Sequence, residues 1–215
     1  MSEDGGEAGG AGGPDPFRTV AGRGEATFER RGSTFIGRVA PVPDEAAAEA
    51  FVEEVRSAHP DATHNAVAYR VRADPLLERA DDDGEPTGSA GDPALNVLVQ
   101  RDLQNVVAVV TRYYGGTNLG VGGLARAYGR GVKAAVADAG VTERRPHVTL
   151  ALDADYDDAG SIRAVLESAG VDFEAEYGER VDFAVRVPRP EADALADRLR
   201  SATGGRVSVE RDGEP

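Results

Sequence analysis

The sequence predicts an α+β protein of two domains, because the order of its predicted elements changes near residue 145. Segments with strand and helix periodicity follow the order βαββαβ over residues 146–215, which is typical of a ferredoxin-like domain. Residues 18–143 combine strands and helices in a different order, so the two halves are not repeats of each other. The predicted division is a tail at residues 1–17, a first domain at 18–143 and a second at 146–215.

The N-terminal segment lacks the pattern of apolar residues that a folded domain requires. Residues 1–17 consist mainly of Gly, Ala, Glu, Asp and Pro without apolar periodicity, which predicts a disordered acidic tail. The segment has neither a basic start nor an apolar run, so a secretory signal is not expected. No stretch approaches the length of apolar residues that a membrane span requires. We therefore predict a cytoplasmic protein without a membrane partner.

The charge and the composition exclude several classes of function. With 38 acidic against 24 basic residues, the formal charge of −14 argues against a sequence-independent grip on double-stranded DNA. The absence of cysteine excludes disulfides, thiolate metal sites and a cysteine nucleophile. Lys133 is the one lysine, and together with the acid excess this favours a halophilic, salt-adapted protein. A bias in coding composition combined with an acidic tail is the alternative explanation.

The first domain shows a sequence of recognisable elements. A hairpin with a turn at Arg31-Gly32 precedes an amphipathic helix that starts near Pro43 and ends near Ala58. The remaining predictions are a strand at 66–71, a polar loop at 73–92, a helix at 93–99 capped by Asp92, a buried strand at 106–114 and a helix at 124–139.

A glycine-rich loop, GGTNLGVGG at residues 115–123, lies between the buried strand and the last of these helices. Glycines allow backbone N–H groups to converge on an anion, and the start of the following helix adds a positive dipole end. Arg112 and Arg126 flank the loop. It is not a P-loop, because Val121-Gly122 stands where Lys-Ser/Thr is required, and it has no dinucleotide fingerprint. A tight strand-to-helix crossover would also require these glycines.

An acidic loop, ERADDDGEPTGSAGDP at residues 78–93, precedes this basic region. Its carboxylates lack the spacing of an EF-hand, so a shaped loop is favoured over a cation site. Residues 74–92 carry seven acids and one arginine, whereas residues 101–145 carry seven basic and three acidic residues. This opposition of charge predicts that the acidic loop and the glycine loop lie side by side and form one cleft. His64, directly before a predicted strand, is the one histidine close in sequence to the sheet that bears these loops, and a structural role is favoured over that of a general base.

Three segments together resemble the IMPACT/YigZ family: ATHNAVAYR (62–70), DDDGEPTGSAGDP (81–93) and VVTRYYGGTNLGVGGLARAY (109–128). The resemblance implies a first domain like the second domain of ribosomal protein S5, and a second domain similar to one in elongation factor G. It also implies a link to translation, because the eukaryotic relative regulates initiation; that relative's partners are not carried over. The family commonly has lysine where this chain has Asn118, which removes a positive charge from the loop.

The predicted function is that of a non-enzymatic binding or regulatory protein linked to translation. It would contact RNA or the ribosome, or a translation-related protein, through the glycine loop and its arginines. We predict no catalytic residue, no metal site and no cofactor. The predicted binding residues are His64, Asp82, Asp83, Gly84, Glu85, Arg112, Tyr113, Tyr114, Gly115, Gly116, Thr117, Asn118, Gly120, Gly122, Gly123 and Arg126.

Two alternatives remain open from the sequence. The first is an enzyme acting on a phosphorylated or nucleotide substrate, in which carboxylates of the acidic loop hold a metal opposite Arg112 and Arg126. The second is a pure protein-interaction module, in which Tyr113 or Tyr114 anchors the partner.

Overall fold

The computed structural model describes residues 16–212. Contacts within the chain divide it into two compact units, Phe17–Arg144 and a second unit that starts at Arg145. The predicted tail at residues 1–17 lies outside the described residues except for Pro16 and Phe17. Among the helices described, none is long and apolar enough to cross a membrane.

The first unit contains seven strands and three helices within the described residues. They are β1 (Phe17–Val20), β2 (Gly24–Arg30), β3 (Ser33–Pro41), α1 (Glu45–Ala58), β4 (His64–Val71), β5 (Leu77–Asp81), α2 (Gly91–Gln100), β6 (Val106–Tyr113), α3 (Val121–Ala139) and β7 (Val141–Arg144). Strands β2 to β6 form an antiparallel sheet in the order β2-β3-β6-β4-β5, and β1 pairs with β7. The predicted hairpin is confirmed: β2 pairs with β3, and Arg31 and Gly32 in its turn have positive φ values of 47° and 80°.

The central strand β6 is buried on both faces, as its continuous apolar sequence predicts. Val107 and Val109 belong to a core cluster that includes the apolar side of α1. Val106, Ala108 and Val110 face the opposite way, into a cluster that includes residues of α2 and α3. Helices therefore cover both faces of the sheet, and alternation between apolar and polar residues disappears at its centre.

Helix α3 packs its backbone directly against the β2–β3 hairpin. A Cβ atom at Gly37 would lie 2.3 Å from the carbonyl oxygen of Gly131, and one at Gly24 would lie 2.3 Å from that of Ala135. No side chain fits at such distances, so the two glycines of the hairpin set how closely the helix approaches the sheet.

The sequence does not predict three of the short strands. The loop predicted at residues 73–92 is wrong, because β5 lies within it and α2 begins at Gly91. The sequence of β5, LERAD, lies at the sheet edge, where its residues are exposed or half-buried and need no apolar alternation. Strands β1 and β7 have four residues each, too few to show a period. Phe17, assigned to the tail by the sequence, pairs with Arg144.

The second unit is the predicted βαββαβ domain. Its elements are β8 (His147–Ala154), α4 (Tyr156–Ala169), β9 (Asp172–Tyr177), β10 (Val181–Pro188), a 3-10 turn (Arg189–Glu191), α5 (Ala192–Ala202) and β11 (Ser208–Asp212). The antiparallel strand order is β11-β8-β10-β9. Leu150 and Phe183 of the sheet share a core cluster with Ile162 of α4 and Leu199 of α5. This arrangement confirms a ferredoxin-like domain and, with the first unit, the α+β class.

The sheet face opposite these helices is acidic. Asp182 of β10 lies in register with Asp153 of β8 on one side and with Glu176 of β9 on the other. In the next row, Glu174 and Glu210 flank a floor of alanines. Asp153 is paired with Arg180 at 2.5 Å, which offsets part of the repulsion. Asp182 and Glu176 remain directly opposite each other on neighbouring strands, so this face carries an electrostatic cost that depends on the salt concentration.

The paired strands β1 and β7 lead to a prediction about the first unit. A fragment of residues 16–145 should fold alone, whereas one of residues 21–145 should be less stable by at least about 2 kcal/mol. The shorter fragment lacks the fully buried Val20 and the hydrogen bond from Gln104 N to Arg18 O. Urea unfolding followed by far-UV circular dichroism measures both. A longer fragment that is unfolded under conditions where the whole chain folds would show that the boundary is wrong.

The acidic face leads to a second prediction. Asp182→Asn removes the middle carboxylate of the row and should stabilise the protein by about 0.2–1 kcal/mol at low ionic strength. The gain should shrink in molar KCl, where the Debye length falls to about 3 Å. Asp182→Glu keeps the charge and is the matched control. Equal stability of the Asn variant and the wild type in thermal unfolding at low salt would mean that these carboxylates do not repel measurably.

Candidate functional site

Asp82 shapes the acidic loop by capping helix α2. Its Oδ1 accepts hydrogen bonds from the backbone N–H of Ala90 (2.9 Å) and Gly91 (2.8 Å), and its Oδ2 accepts one from Gly88 (2.7 Å). Burial opposes ionisation of the carboxyl, but these backbone donors outweigh it and hold the pKa of Asp82 below its ordinary value. The prediction that Asp92 caps this helix is wrong: Asp92 lies in the first turn, which has no side-chain cap from its own N-cap residue.

Asp83 and Gly84 attach the acidic loop to the start of β4. Asp83 Oδ2 accepts a 2.6 Å hydrogen bond from the backbone N–H of Asn65, and the Asp83 carbonyl accepts one of 2.7 Å from His64 Nδ1. Both Asp83 and Gly84 have positive φ, at 47° and 84°. A Cβ at Gly84 would lie 3.5 Å from the His64 ring. His64 therefore holds the loop in place through Nδ1.

Glu85 lies at the centre of a buried polar cluster. Its Oε1 accepts hydrogen bonds from Arg112 Nη1 at 2.6 Å and from the Tyr128 hydroxyl at 2.7 Å. His64 Nε2 lies 3.9 Å from the same oxygen. Burial, and then the hydrogen bond to Glu85, raise the pKa of Tyr128 far above its ordinary value. The acidic loop is thus joined to β6 and to α3 at one carboxylate.

Arg112 is buried, contrary to the expectation that it presents its charge to a ligand. It is 4% exposed, and its second terminal nitrogen, Nη2, donates to Ser33 Oγ at 3.3 Å. The guanidinium also lies over the rings of Phe35 and Tyr114, at 5.5 and 5.2 Å from their centroids. Its charge is compensated by Glu85, so the role predicted for Arg112 in anion binding is corrected to one of positioning.

The glycine loop, Gly115–Gly123, begins with a close packing contact. A Cβ at Gly115 would lie 1.9 Å from the carbonyl carbon of Gly32, so this glycine is required where the loop passes the β2–β3 turn. Gly115 N also donates to Ser33 Oγ at 3.1 Å. These contacts fix the start of the loop, which supports the structural explanation for one of its glycines.

Beyond Gly115 the loop is open to solvent as far as Asn118, whereas Leu119 packs against the core and Gly123, a predicted binding residue, is buried in the first turn of α3. Gly116, Thr117 and Asn118 are exposed. Gly116 and Gly120 have φ values of 81° and 69°, and no atom lies within 4 Å of a Cβ added at either. Glycine is therefore favoured at these two positions by the positive φ, and no side chain covers the outer surface of the loop there.

Helix α3 begins at Val121 without a side-chain cap and without an acidic residue in its first turn. The N–H groups of Gly123 and Leu124 donate to the Gly120 carbonyl. Arg126 is exposed, and its Nη1 would lie 3.5 Å from a Cβ at Gly122, which places the guanidinium against the first turn. A positive dipole end and a cation therefore face solvent at the end of the glycine loop.

The two tyrosines before the loop have different environments. Tyr113 is half-buried and its hydroxyl is hydrogen-bonded to His59 Nδ1 at 2.8 Å, beside α1. Tyr114 is 45% exposed and its hydroxyl donates to Asn118 Oδ1 at 3.2 Å. Tyr114 therefore belongs to the solvent-facing loop, whereas Tyr113 does not.

The acidic loop contacts residues on either side of the glycine loop, whereas direct contact between the two loops and a cleft shared by them stay predictions. Glu85 of the acidic loop contacts Arg112 before the glycine loop and Tyr128 beyond it. The carboxylates of Asp82, Asp83 and Glu85 nevertheless accept hydrogen bonds from the protein itself. Within residues 16–212, no group of three or more His, Asp or Glu side chains is placed to hold a metal ion. The acidic loop is thus an internal support for an exposed glycine loop.

A groove of about 870 Å³ between α2 and α3 extends from this site. This groove was not predicted from the sequence, although Arg130 and Lys133 follow Arg126 at helical spacing. That spacing is a usable signal for a cationic helix face. The second wall, on α2, could not be identified because it depends on how the two helices pack.

Comparison with known proteins identifies the family. The sequence profile of the Impact N-terminal domain matches residues 31–136, and that of a domain of unknown function (DUF1949) matches residues 152–206. The chain is 38% identical over 199 residues to the IMPACT family member YvyE of Bacillus subtilis, covering 92% of this chain and 91% of that protein. The chain belongs to the IMPACT family. The sequence resemblance is thereby confirmed.

Further relatives show that the family likeness extends over both units. IMPACT family member YigZ of Escherichia coli is 35% identical over 184 residues, which covers 84% of this chain and 90% of that protein. A crystal structure described as that of a hypothetical protein has a TM-score of 0.65 and 32% identity, covering 93% of this chain and 98% of that one. Both loops and Arg126 lie inside the residues that match the Impact N-terminal domain.

The buried cluster leads to a prediction about stability. Glu85→Gln should destabilise the protein by about 3 kcal/mol, because the buried Arg112 guanidinium loses its compensating charge. Tyr128→Phe removes one hydrogen bond to the same oxygen and should cost about 1 kcal/mol.

The control is the double variant Glu85→Leu/Arg112→Met, which removes both charges and should recover most of the loss. Urea unfolding measures each loss. Applied to the wild type, Glu85→Leu, Arg112→Met and the double variant, it closes a cycle that gives the coupling between the two residues. A loss below about 1 kcal/mol for Glu85→Gln would show that the ion pair does not constrain the loops.

Proposed function

We propose that the protein is a non-enzymatic regulator linked to translation, which contacts RNA or the ribosome through the glycine loop and Arg126. The observation that carries this proposal is the contrast between the two loops. Asp82, Asp83 and Glu85 of the acidic loop direct their carboxylates into the protein. The glycine loop is held outward beside an uncapped helix start and an exposed arginine. Such an arrangement suits a phosphate group, which both the backbone N–H groups and the guanidinium can contact.

The distribution of charge supports an anionic partner. The whole chain has a formal charge of −14, so long-range attraction does not favour nucleic acid over the entire surface. The exposed cations Arg126, Arg130 and Lys133 are nevertheless collected along one helix that starts at the glycine loop. Binding would therefore be local and oriented.

The family supports the link to translation. The resemblance of the motifs to the IMPACT family implies a role in translation, and the candidate site lies within the domain that defines this family. A non-enzymatic role is supported by the use of the loop carboxylates and His64 as internal hydrogen-bonding groups. The enzymatic alternative required the same carboxylates to hold a metal opposite Arg112 and Arg126.

A second candidate, protein docking, rests on a specific observation. Tyr114 and Val121 are 45% and 57% exposed at the two ends of the loop, and exposed aromatic and aliphatic side chains commonly anchor protein interfaces. The two candidates differ in how binding should respond to salt.

The proposal is tested by titrating ribosomal RNA and purified ribosomal subunits with wild type, Arg126→Gln and Tyr114→Ala at several salt concentrations. With RNA as the partner, Arg126→Gln should reduce the slope of log K against log salt by about one unit, because one phosphate contact is lost. Arg79→Gln, which removes an exposed arginine on β5, is the matched control.

Two outcomes would contradict this proposal. Failure of the wild type to bind either RNA or subunits would exclude it. Strong binding to subunits that Tyr114→Ala abolishes, with an unchanged slope for Arg126→Gln, would favour protein docking instead.

A further inference from the structure

The groove between α2 and α3 has a floor without large side chains. A Cβ at Gly129 of α3 would lie 3.7 Å from both the Pro93 carbonyl oxygen and a methyl group of Val97 on α2. The two helices therefore meet closely where Gly129 has no side chain, and the space above this contact is open. The residues that line this space come from the acidic loop, from α2 and from one face of α3.

One wall of the groove is a row of cations on α3. Arg126, Arg130 and Lys133 recur at intervals of four and three residues, which places them on one helix face over about 10 Å of its length. All three are exposed, and within the described part of the chain none of them forms an ion pair. Arg130 is also held by stacking on the Phe28 ring, 4.3 Å from its centroid.

The opposite wall is a row of amides on α2. Asn96 and Gln100 are four residues apart, exposed, and line the groove facing the cations. A side-chain amide both donates and accepts hydrogen bonds, which matches a hydroxyl group that does the same. Asp92, near the start of α2, is the one carboxylate among the lining residues. The cations therefore outnumber the acids in the groove.

The cationic wall and the amide wall together suit a ribose-phosphate chain. A ribose-phosphate chain carries a repeated negative charge on one side and hydroxyls and base edges on the other. The backbone amides of an acidic peptide would also pair with the amide wall, but a peptide has no 2′-hydroxyl, so a preference for ribose over deoxyribose separates the two partners. In a single strand the base edges and the 2′-hydroxyls are both accessible, whereas a duplex pairs its base edges internally.

We propose that the α2–α3 groove binds single-stranded RNA, with Arg126, Arg130 and Lys133 on successive phosphates and with Asn96 and Gln100 on the ribose or base side. The proposal rests on the proposed function and specifies its partner and path. The strand leaves the glycine loop at Arg126 and continues along α3 towards Lys133.

The test uses the full chain and a fluorescein-labelled 12-residue oligouridylate, with the deoxy oligomer of the same sequence as its comparison. Lys133→Gln should weaken binding of the RNA about fivefold at low salt and reduce the salt slope by about 0.7. Lys133→Arg keeps the charge and should bind as the wild type does. Arg79→Gln is the control for loss of an exposed charge outside the groove, and circular dichroism verifies that each variant is folded.

The amide wall is tested separately with Asn96→Leu/Gln100→Leu. These changes leave every charge in place, so the salt slope should stay the same. The preference for the ribose oligomer over the deoxy oligomer should fall towards one, because the 2′-hydroxyls lose their partners.

The outcomes separate this inference from the proposed function. If Arg126→Gln weakens RNA binding but Lys133→Gln and Arg130→Gln bind with unchanged affinity and slope, the groove is not the path and the loop proposal stands. If the wild type binds neither the oligonucleotide nor ribosomal RNA or subunits, both proposals fail. If an oligoglutamate of equal charge displaces the RNA as effectively as unlabelled oligouridylate, the groove is a general anion site and the inference is overturned.

Discussion

The buried ion pair between Glu85 and Arg112 is the interaction on which the rest of the candidate site depends. It joins the acidic loop to the end of the central strand β6, and the Tyr128 hydroxyl adds α3 to the same carboxylate oxygen. A buried Glu85 or Arg112 without its partner would destabilise the fold. The acidic loop, β6 and α3 therefore stay together where these two charges pair. The glycine loop is connected to β6 on one side and α3 on the other, and its position follows from this pairing.

A second constraint is the close approach of α3 to the sheet. Gly37 faces Gly131 and Gly24 faces Ala135 at distances that exclude any side chain. At the same helix, Gly129 lies against α2 and leaves the groove floor low. The hairpin glycines, Gly24 and Gly37, thus let α3 lie close to the sheet. Gly129, on the side of α3 that faces α2, leaves space for the groove that the cations line.

Each unit of the protein has a surface on which charges of one sign are concentrated. The open face of the second unit carries a row of Asp153, Asp182 and Glu176 on neighbouring strands. The first unit carries the row Arg126, Arg130 and Lys133 beside its groove. Like charges placed so closely oppose folding in both cases, because each group increases the potential at its neighbours. The acidic row makes the stability of the second unit depend on the salt concentration, and the cationic row is the basis for the anionic partner proposed above.

The sequence by itself determined the elements whose residues repeat with a clear period. The apolar run of β6, the Arg31-Gly32 turn and the βαββαβ order are visible along the sequence, and the structure agrees with them. Motifs of the two loops also identified the family. These signals need only neighbouring residues along the chain, because turn conformation and side-chain periodicity are set locally.

The tertiary structure decided which charges face solvent. Arg112 and Arg126 are equivalent in the sequence, since both flank the glycine loop, yet one is paired with Glu85 inside the protein and the other is exposed. Similarly, Asp82 rather than Asp92 caps α2, and Asn96 and Gln100 acquire a role only beside the cations of α3. Burial and pairing depend on residues brought together from distant positions in the chain, and no local pattern contains that information.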